Sequence, residues 1–266
     1  MPMARRSSAS FWNARRNKSI AIDDFAALHT GAEPLVLFNI WDAGSAAAVA
    51  RAGAKAIATG SLSLAAAQGF DDGEALPFER LLETVAQIAL ACDLPLSVDV
   101  ETGYADSAAG VRANLAKLHE AGAVACNLED RIIAGGGLRD VSGQCSRIEA
   151  AASTGLFVNA RTDLFLAPLV AGENPNRGDL VDAAIERAAA YRASGASCFF
   201  VPGLSEPKLV ERLCREVEMP VNVMRLPSMI SNRDLAGLGV ARISYGPAPW
   251  REAMAQVEAA ASAVFS

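Results

Sequence analysis

The chain has 266 residues, 52% of them hydrophobic, and a net charge of −6. That is enough apolar material for one core of α/β-barrel size, and the negative balance argues against a nucleic-acid partner. No stretch reaches the roughly 18 to 20 apolar residues of a membrane span, and five cysteines without a CxxC pair give no zinc pattern and fit a reducing, cytoplasmic compartment.

Residues 1–19 carry Arg5, Arg6, Arg15, Arg16 and Lys18 without a signal-peptide core, and are expected to be a disordered basic tail. Residues 20–266 read as a single catalytic domain. A short helix over 20–29 precedes an apolar strand over 35–39 that ends in Asn39, Trp41 and Asp42. A small-residue helix over 45–52 leads to a strand over 54–59, which ends in Thr59, Gly60 and Ser61. Helical spacing over 78–92 then leads to the strand that carries Asp99 and Glu101. The same unit recurs: a helix over 108–121, a strand over 124–128 ending in Glu129 and Asp130, and a helical segment near 146–153. A strand over 156–160 ends in Arg161 and Asp163, and is followed by a helix over 180–194 and a strand over 198–201. Helices over 206–216 and 232–238 alternate with strands over 221–224 and 241–245, and a last helix spans 250–264.

Eight apolar strands alternating with helices predict a parallel sheet covered by helices, closed as a (β/α)8 TIM-type barrel. Gly53, Gly122, Gly195 and Gly239 stand where helix C-caps are needed. An open doubly wound sheet is the alternative; its GxGxxG fingerprint is absent from the first loop, NIWDAGSAAA.

Barrel active sites lie at the C-terminal strand ends, where this chain concentrates acidic groups and one arginine. Side chains at i and i+2 of a strand share a face, so Asp99 and Glu101 are expected side by side, and two such carboxylates call for a cation between them. Oxygen ligands without His or Cys favour Mg²⁺, with Mn²⁺ as substitute. Asp99 is expected to bind the metal directly, and Glu101 and Glu129 to hold its waters. Arg161 offers a bidentate fork to a substrate carboxylate, with pairing to Glu129 as the competing role. The amides of Gly60 and Ser61 could cradle an oxyanion. The glycine-rich loop over 132–140 suits a lid or a plain connection, and Met224 reads as packing. His29 and His119 lie away from the acidic cluster, which disfavours a histidine base.

The motifs TGSLSLAAAQGFDD, SVDVETGYAD, NLED and NARTD, in this order at these strand ends, resemble the isocitrate lyase and phosphoenolpyruvate mutase superfamily over residues 34–245. The resemblance implies an α/β barrel that makes or breaks C–C or P–C bonds beside a carboxylate through a Mg²⁺-stabilised enolate. It assigns Asp99, Glu101 and Glu129 to the metal, Arg161 to the substrate, and Thr59, Gly60 and Ser61 to the segment lining the substrate carboxylate. Asp72 matches the aspartate of the mobile loop after the second strand, so Asp72, Glu129 and Arg161 form the implied catalytic set. Two departures stand out. The K-[KR]-C-G-H segment of the lyases is replaced by RIIAGGGLRD, and the loop asparagine and sixth-strand histidine of the mutases are missing.

The expected activity is a Mg²⁺-dependent C–C lyase acting on a small 2-oxo or 2-hydroxy carboxylate, oxaloacetate-like, with protonation by water. P–C chemistry on phosphonopyruvate and a catalytically silent carboxylate-binding barrel stay open as alternatives; nicotinamide-dependent chemistry is disfavoured by the missing fingerprint. Because oligomers in the superfamily often exchange a C-terminal helix and this chain ends one helix after its eighth strand, a homo-oligomer (dimer or tetramer) is expected without the full exchange.

Overall fold

The apolar runs form nine short parallel strands: β1 (Leu35–Leu37), β2 (Asn39–Ile40), β3 (Ile57–Thr59), β4 (Leu96–Asp99), β5 (Ala125–Glu129), β6 (Phe157–Arg161), β7 (Cys198–Phe200), β8 (Val221–Met224) and β9 (Arg242–Ser244). They are seen in a computed structural model that describes residues 18–266, so all but the last two residues of the expected basic tail, 1–19, lie outside the described residues. The sheet order is β1-β9-β8-β7-β6-β5-β4-β3-β2. Only Phe38 separates β1 from β2, so the two ends of the sheet belong to one chain segment and the ring closes as an eight-stranded barrel.

Helices cover the ring: α1 (Lys18–Ala27), α2 (Ala43–Arg51), α3 (Ser61–Ala66), α4 (Phe78–Ala91), α5 (Ala108–Ala121), α6 (Val141–Ala152), α7 (Leu166–Val170), α8 (Gly178–Ala193), α9 (Pro207–Glu216), α10 (Asn232–Gly237) and α11 (Ala248–Phe265). All four expected C-cap glycines take positive φ, where a side chain would be strained. Helix α6 starts five residues earlier than the pattern 146–153 suggests, because Asp140 Oδ1 accepts from Gly143 N at 2.6 Å and caps it. Among the described residues no helix is long and apolar enough to cross a membrane.

Two apolar cores result. The larger lies between strands and helices, where Val98, Leu128, Val158 and Val223 meet Leu115, Ile148 and Val210; each such side chain contributes about 1.5–3 kcal/mol on burial. The smaller fills the bottom of the barrel, with Leu35, Leu37, Ala58 and Phe157 inside and Phe25 of α1 as a plug. His29 stacks on Phe157 at 4.6 Å, its Nδ1 meeting Phe25 O at 2.9 Å. Burial and the nearby Arg242 hold its pKa down to about 4, so it is a neutral part of the plug. Cys126 and Cys198 are buried in β5 and β7, as their strand positions imply. Above the plug the interior turns polar: Ser97, Asn127, Asn159, Asn222 and Arg242 are all buried there.

Candidate active site

At the C-terminal rim of the strands lies a cavity of about 510 Å³, whose polar wall includes Asn39, Ser61, Asp72, Asp99, Asn127 and Arg161. Asp99 closes β4, and its register partner on β5 is Asn127. Its oxygens have only long protein contacts, to Ser61 N at 3.3 Å and Glu101 N at 3.4 Å. Burial raises its pKa; Arg161 pulls it back and Asp72 pushes the same way as burial.

The turn after Asp99 departs from the expected alternation. Strand β4 stops at Asp99, and Glu101 has φ 49°, so the same-face rule no longer applies to it. Its carboxylate does not line the cavity: Oε1 accepts from Glu74 N at 2.9 Å and Oε2 lies 3.4 Å from Arg131 Nη2. Burial, followed by the Asp72 charge, pushes it up to about 8. Gly103, at φ 91°, continues the turn; a Cβ there would meet Val111 and Leu128 at 3.2 and 3.3 Å.

Glu129 and Arg161 pair across β5 and β6. Glu129 Oε2 lies 2.7 Å from Arg161 Nη1, and Oε1 3.0 Å from Arg131 Nε. Burial raises the Glu129 pKa against the pull of Arg161. The bidentate edge of Arg161 is taken by Asp163, with Nε to Oδ1 at 2.6 Å and Nη2 to Oδ2 at 3.0 Å. A guanidinium has five N–H groups, so one on Nη1 and one on Nη2 remain for a ligand. The expected pairing is thus broader than Glu129 alone: the Nε/Nη2 edge holds Asp163, and the remaining Nη1 and Nη2 N–H groups are what Arg161 can offer a ligand carboxylate.

Other expectations are also revised. Thr59 is fully buried and its Oγ1 accepts from Asp99 N at 2.9 Å, so it braces the aspartate instead of lining the cavity. Gly60 N donates to Ile40 O at 3.3 Å and Ser61 N to Asp99, so neither amide is a free oxyanion donor. The next residues of α3, Leu62 and Ser63, also line the cavity, and their first-turn amides have no acceptor within the helix. Met224 lines the cavity, and Asp130 supports the floor through Asp163 N, Arg187 and Tyr191. The glycine loop is a tight hairpin, bridged at Arg131 and Leu138, bordering a second cavity of about 430 Å³ beside the first.

Sequence patterns missed the groups that hold the Asp99 turn. Glu74 Oε1 accepts from Thr102 N, Thr102 Oγ1 and Tyr104 N at 3.0, 2.7 and 2.9 Å. Buried Arg147 of α6 donates to Asp106 O at 2.6 Å and to Thr102 O. Short α7 was also missed; with Phe200, Pro202 and Leu226 it gives the cavity an apolar wall, through Leu166, Leu169 and Val170.

The sequence profile of the phosphoenolpyruvate phosphomutase family matches residues 25–265. The chain belongs to this family. It thereby falls in the isocitrate lyase/phosphoenolpyruvate mutase superfamily. A proposed phosphonomutase of Burkholderia cenocepacia J2315, known from its crystal structure, is 44% identical, with a TM-score of 0.87, covering 92% of this chain and 100% of its own. The 2-methylisocitrate lyase of Escherichia coli (strain K12) is 29% identical over 199 residues, 74% of this chain and 67% of the relative. The oxaloacetate decarboxylase of Rhodopseudomonas palustris (strain BisB5) is 27% identical over 206 residues, 77% of this chain and 71% of the relative.

The family implies a divalent cation, and the donor set can be judged against it. Among the described residues no three Asp, Glu, His or Cys side chains gather closely enough to cage an ion. Of the three expected ligands only Asp99 lines the cavity; Glu101 and Glu129 are held by Arg131 and Arg161, which line it themselves. One half-buried, under-coordinated carboxylate with Asp72 nearby and no thiol or imidazole in the wall suits Mg²⁺, which binds through one or two carboxylates and keeps several waters. The residues therefore fit the ion, and Asp99 is the one that would hold it directly.

Proposed function

We propose that this chain is a Mg²⁺-dependent carbon–carbon lyase that cleaves a small 2-oxo or 2-hydroxy carboxylate of the oxaloacetate type. The observation that carries the reading is the convergence of Asp99 and Arg161 on one cavity wall. Kinship with 2-methylisocitrate lyase and oxaloacetate decarboxylase supports it. When bound at Asp99, Mg²⁺ supplies Lewis-acid stabilisation for negative charge on the 2-oxo oxygen.

The protein groups supply the rest. The two remaining N–H groups of Arg161 bind the carboxylate next to the oxo group, with the α3 amides of Leu62 and Ser63 as further donors. In an oxaloacetate-type acid the C3–C4 bond breaks, its electron pair stays as the enolate, and the distal carboxylate departs as CO₂. That carboxylate loses its charge in the step, which the apolar wall of Leu166, Leu169, Val170 and Phe200 favours over water. Among the described residues no His or Cys lines the cavity, so water protonates C3. Asp72 is the remaining lining carboxylate and would add a second negative charge beside a cation held at Asp99.

One finding favours a second reading, P–C chemistry on phosphonopyruvate: the 44% identity with the proposed phosphonomutase. A doubly charged phosphonate calls for several uncommitted cations, whereas Arg131 and Arg161 are already paired with carboxylates and, among the described residues, Arg251 alone of the lining cations has no ion pair. The C–C reading therefore stands first.

Oxalate, an enolate mimic, should raise the melting temperature only when Mg²⁺ is present, and an oxaloacetate-type acid should be consumed faster than in protein-free Mg²⁺ solution. An equal oxalate shift in EDTA would sink the metal-based reading, and binding without turnover of any oxo acid would favour the silent barrel. A cytoplasmic location belongs to the same reading and suits the five free cysteines.

We also propose that the chain forms a homo-oligomer through α11. Of its eighteen residues only Pro249 is buried, while Met254, Val257, Val264 and Phe265 are exposed. An apolar groove of about 570 Å³ beside β1 leaves Val36 and Phe38 uncovered as well. Sedimentation should show a dimer or tetramer that dissociates in Val257→Glu; a wild-type monomer at micromolar concentration would refute the assembly.

A further inference from the structure

The polar layer under the active site contains a buried cation with no carboxylate partner. Arg242 is 1% exposed, and among the described residues no Asp or Glu lies within ion-pair distance of it. Burial lowers its pKa only to about 10, so it stays protonated at neutral pH and can only donate. Its strand, β9, is not a neighbour of β4 or β5. Nevertheless Nη2 reaches through the barrel interior to Ser97 Oγ and Asn127 Oδ1, both at 3.2 Å.

This contact decides which way the Asn127 amide faces. An amide's oxygen and nitrogen are told apart by their partners, and a guanidinium demands an acceptor. The oxygen of Asn127 is therefore the lower atom, and it also accepts from Asn159 Nδ2 at 2.8 Å. Asn127 lines the cavity opposite Asp99, so the end left facing the cavity is its NH₂ group, a donor beside the proposed metal carboxylate.

We propose that Asn127 Nδ2 donates a hydrogen bond to an oxygen of the bound oxo acid, and that Arg242 is the positioning residue that fixes this amide from below. The assignment rests on the oxo-acid reading of the cavity. It explains why the barrel keeps an arginine where Val, Ile or Leu is usual: with Oδ1 anchored by a group that cannot accept, the amide cannot turn and present a repelling oxygen to an anionic ligand.

Calorimetric titration of oxalate in saturating Mg²⁺ tests both roles. Asn127→Ala should weaken oxalate at least about ten-fold, as loss of one hydrogen bond to a charged ligand implies. Arg242→Met should weaken it comparably although Arg242 does not line the cavity, and adding it to Asn127→Ala should cost nothing further. Arg242→Lys, which can still donate to Oδ1, should recover much of the loss. Mg²⁺ affinity measured without oxalate should not fall in any variant. Should Arg242→Met fail to fold, the Asn127→Ala and Arg242→Lys titrations still decide. Wild-type oxalate affinity in Asn127→Ala, or losses that multiply in the double variant, would overturn the assignment. A wild-type protein that does not bind oxalate at all would instead overturn the oxo-acid reading beneath it.

Discussion

Asp99→Ala should lose Mg²⁺-dependent turnover by at least about a thousand-fold, equivalent to ~4 kcal/mol of transition-state stabilisation, without losing stability. The two halves of this expectation have one origin. The Asp99 carboxylate is half-buried in the cavity wall, accepts hydrogen bonds only from amides at 3.3 and 3.4 Å, and has its pKa raised by burial, with Arg161 pulling it back and Asp72 pushing it up. A partly desolvated anion with such long hydrogen bonds adds little stability until a cation arrives. Melting curves in EDTA should therefore place Asp99→Ala at or above the wild type, while the Mg²⁺-induced rise disappears. A variant that melts well below the wild type in EDTA would show instead that Asp99 is a structural residue.

Arg161→Ala has the opposite profile, with a large loss of stability added to loss of ligand binding. Arg161 is buried between Glu129 and Asp163 and holds both, at 2.7 and 2.6 Å. Those charges raise its own pKa despite the opposing effect of burial. Removing one partner of a buried ion pair costs about 3–5 kcal/mol, or roughly 6–20 °C in melting temperature for a domain of this size. Glu129 keeps Arg131, which limits the cost, whereas Asp163 loses its bidentate partner. Arg161→Lys keeps the charge but cannot span both oxygens of Asp163, and should lie between wild type and alanine in stability while still binding oxalate poorly. Arg161→Ala melting with the wild type would contradict the pairing described.

The architecture was legible from the sequence because its signals are local. Short apolar runs, helices of matching length and glycines at C-caps repeat along the chain, and that alternation admits few folds. Asp99 and Arg161 were legible for the same reason, since a residue ending a barrel strand must lie at the rim. Glu101 misled because alternation holds only inside a strand, and the left-handed turn after Asp99 gives no signal in the residue itself. Thr59 was placed in the right segment, but its hydroxyl serves the backbone of Asp99, a contact spanning forty positions. Glu74, Arg147 and Arg242 were missed entirely. Each acts on residues 28 to 145 positions away, where no periodicity carries information. The apolar wall depends on α7, too short at five residues to show a helical pattern.

In the proposed mechanism Asp99 holds a divalent cation at the rim of the barrel, within reach of an acid bound to Arg161. Crystals grown with Mn²⁺ and oxalate test it directly, because Mn²⁺ scatters anomalously and Mg²⁺ does not. One anomalous peak should appear, bonded to an Asp99 oxygen, with oxalate bridging from the ion toward Arg161 and Asn127. A cavity with oxalate but no peak beside Asp99, or a peak elsewhere in the barrel, would contradict it.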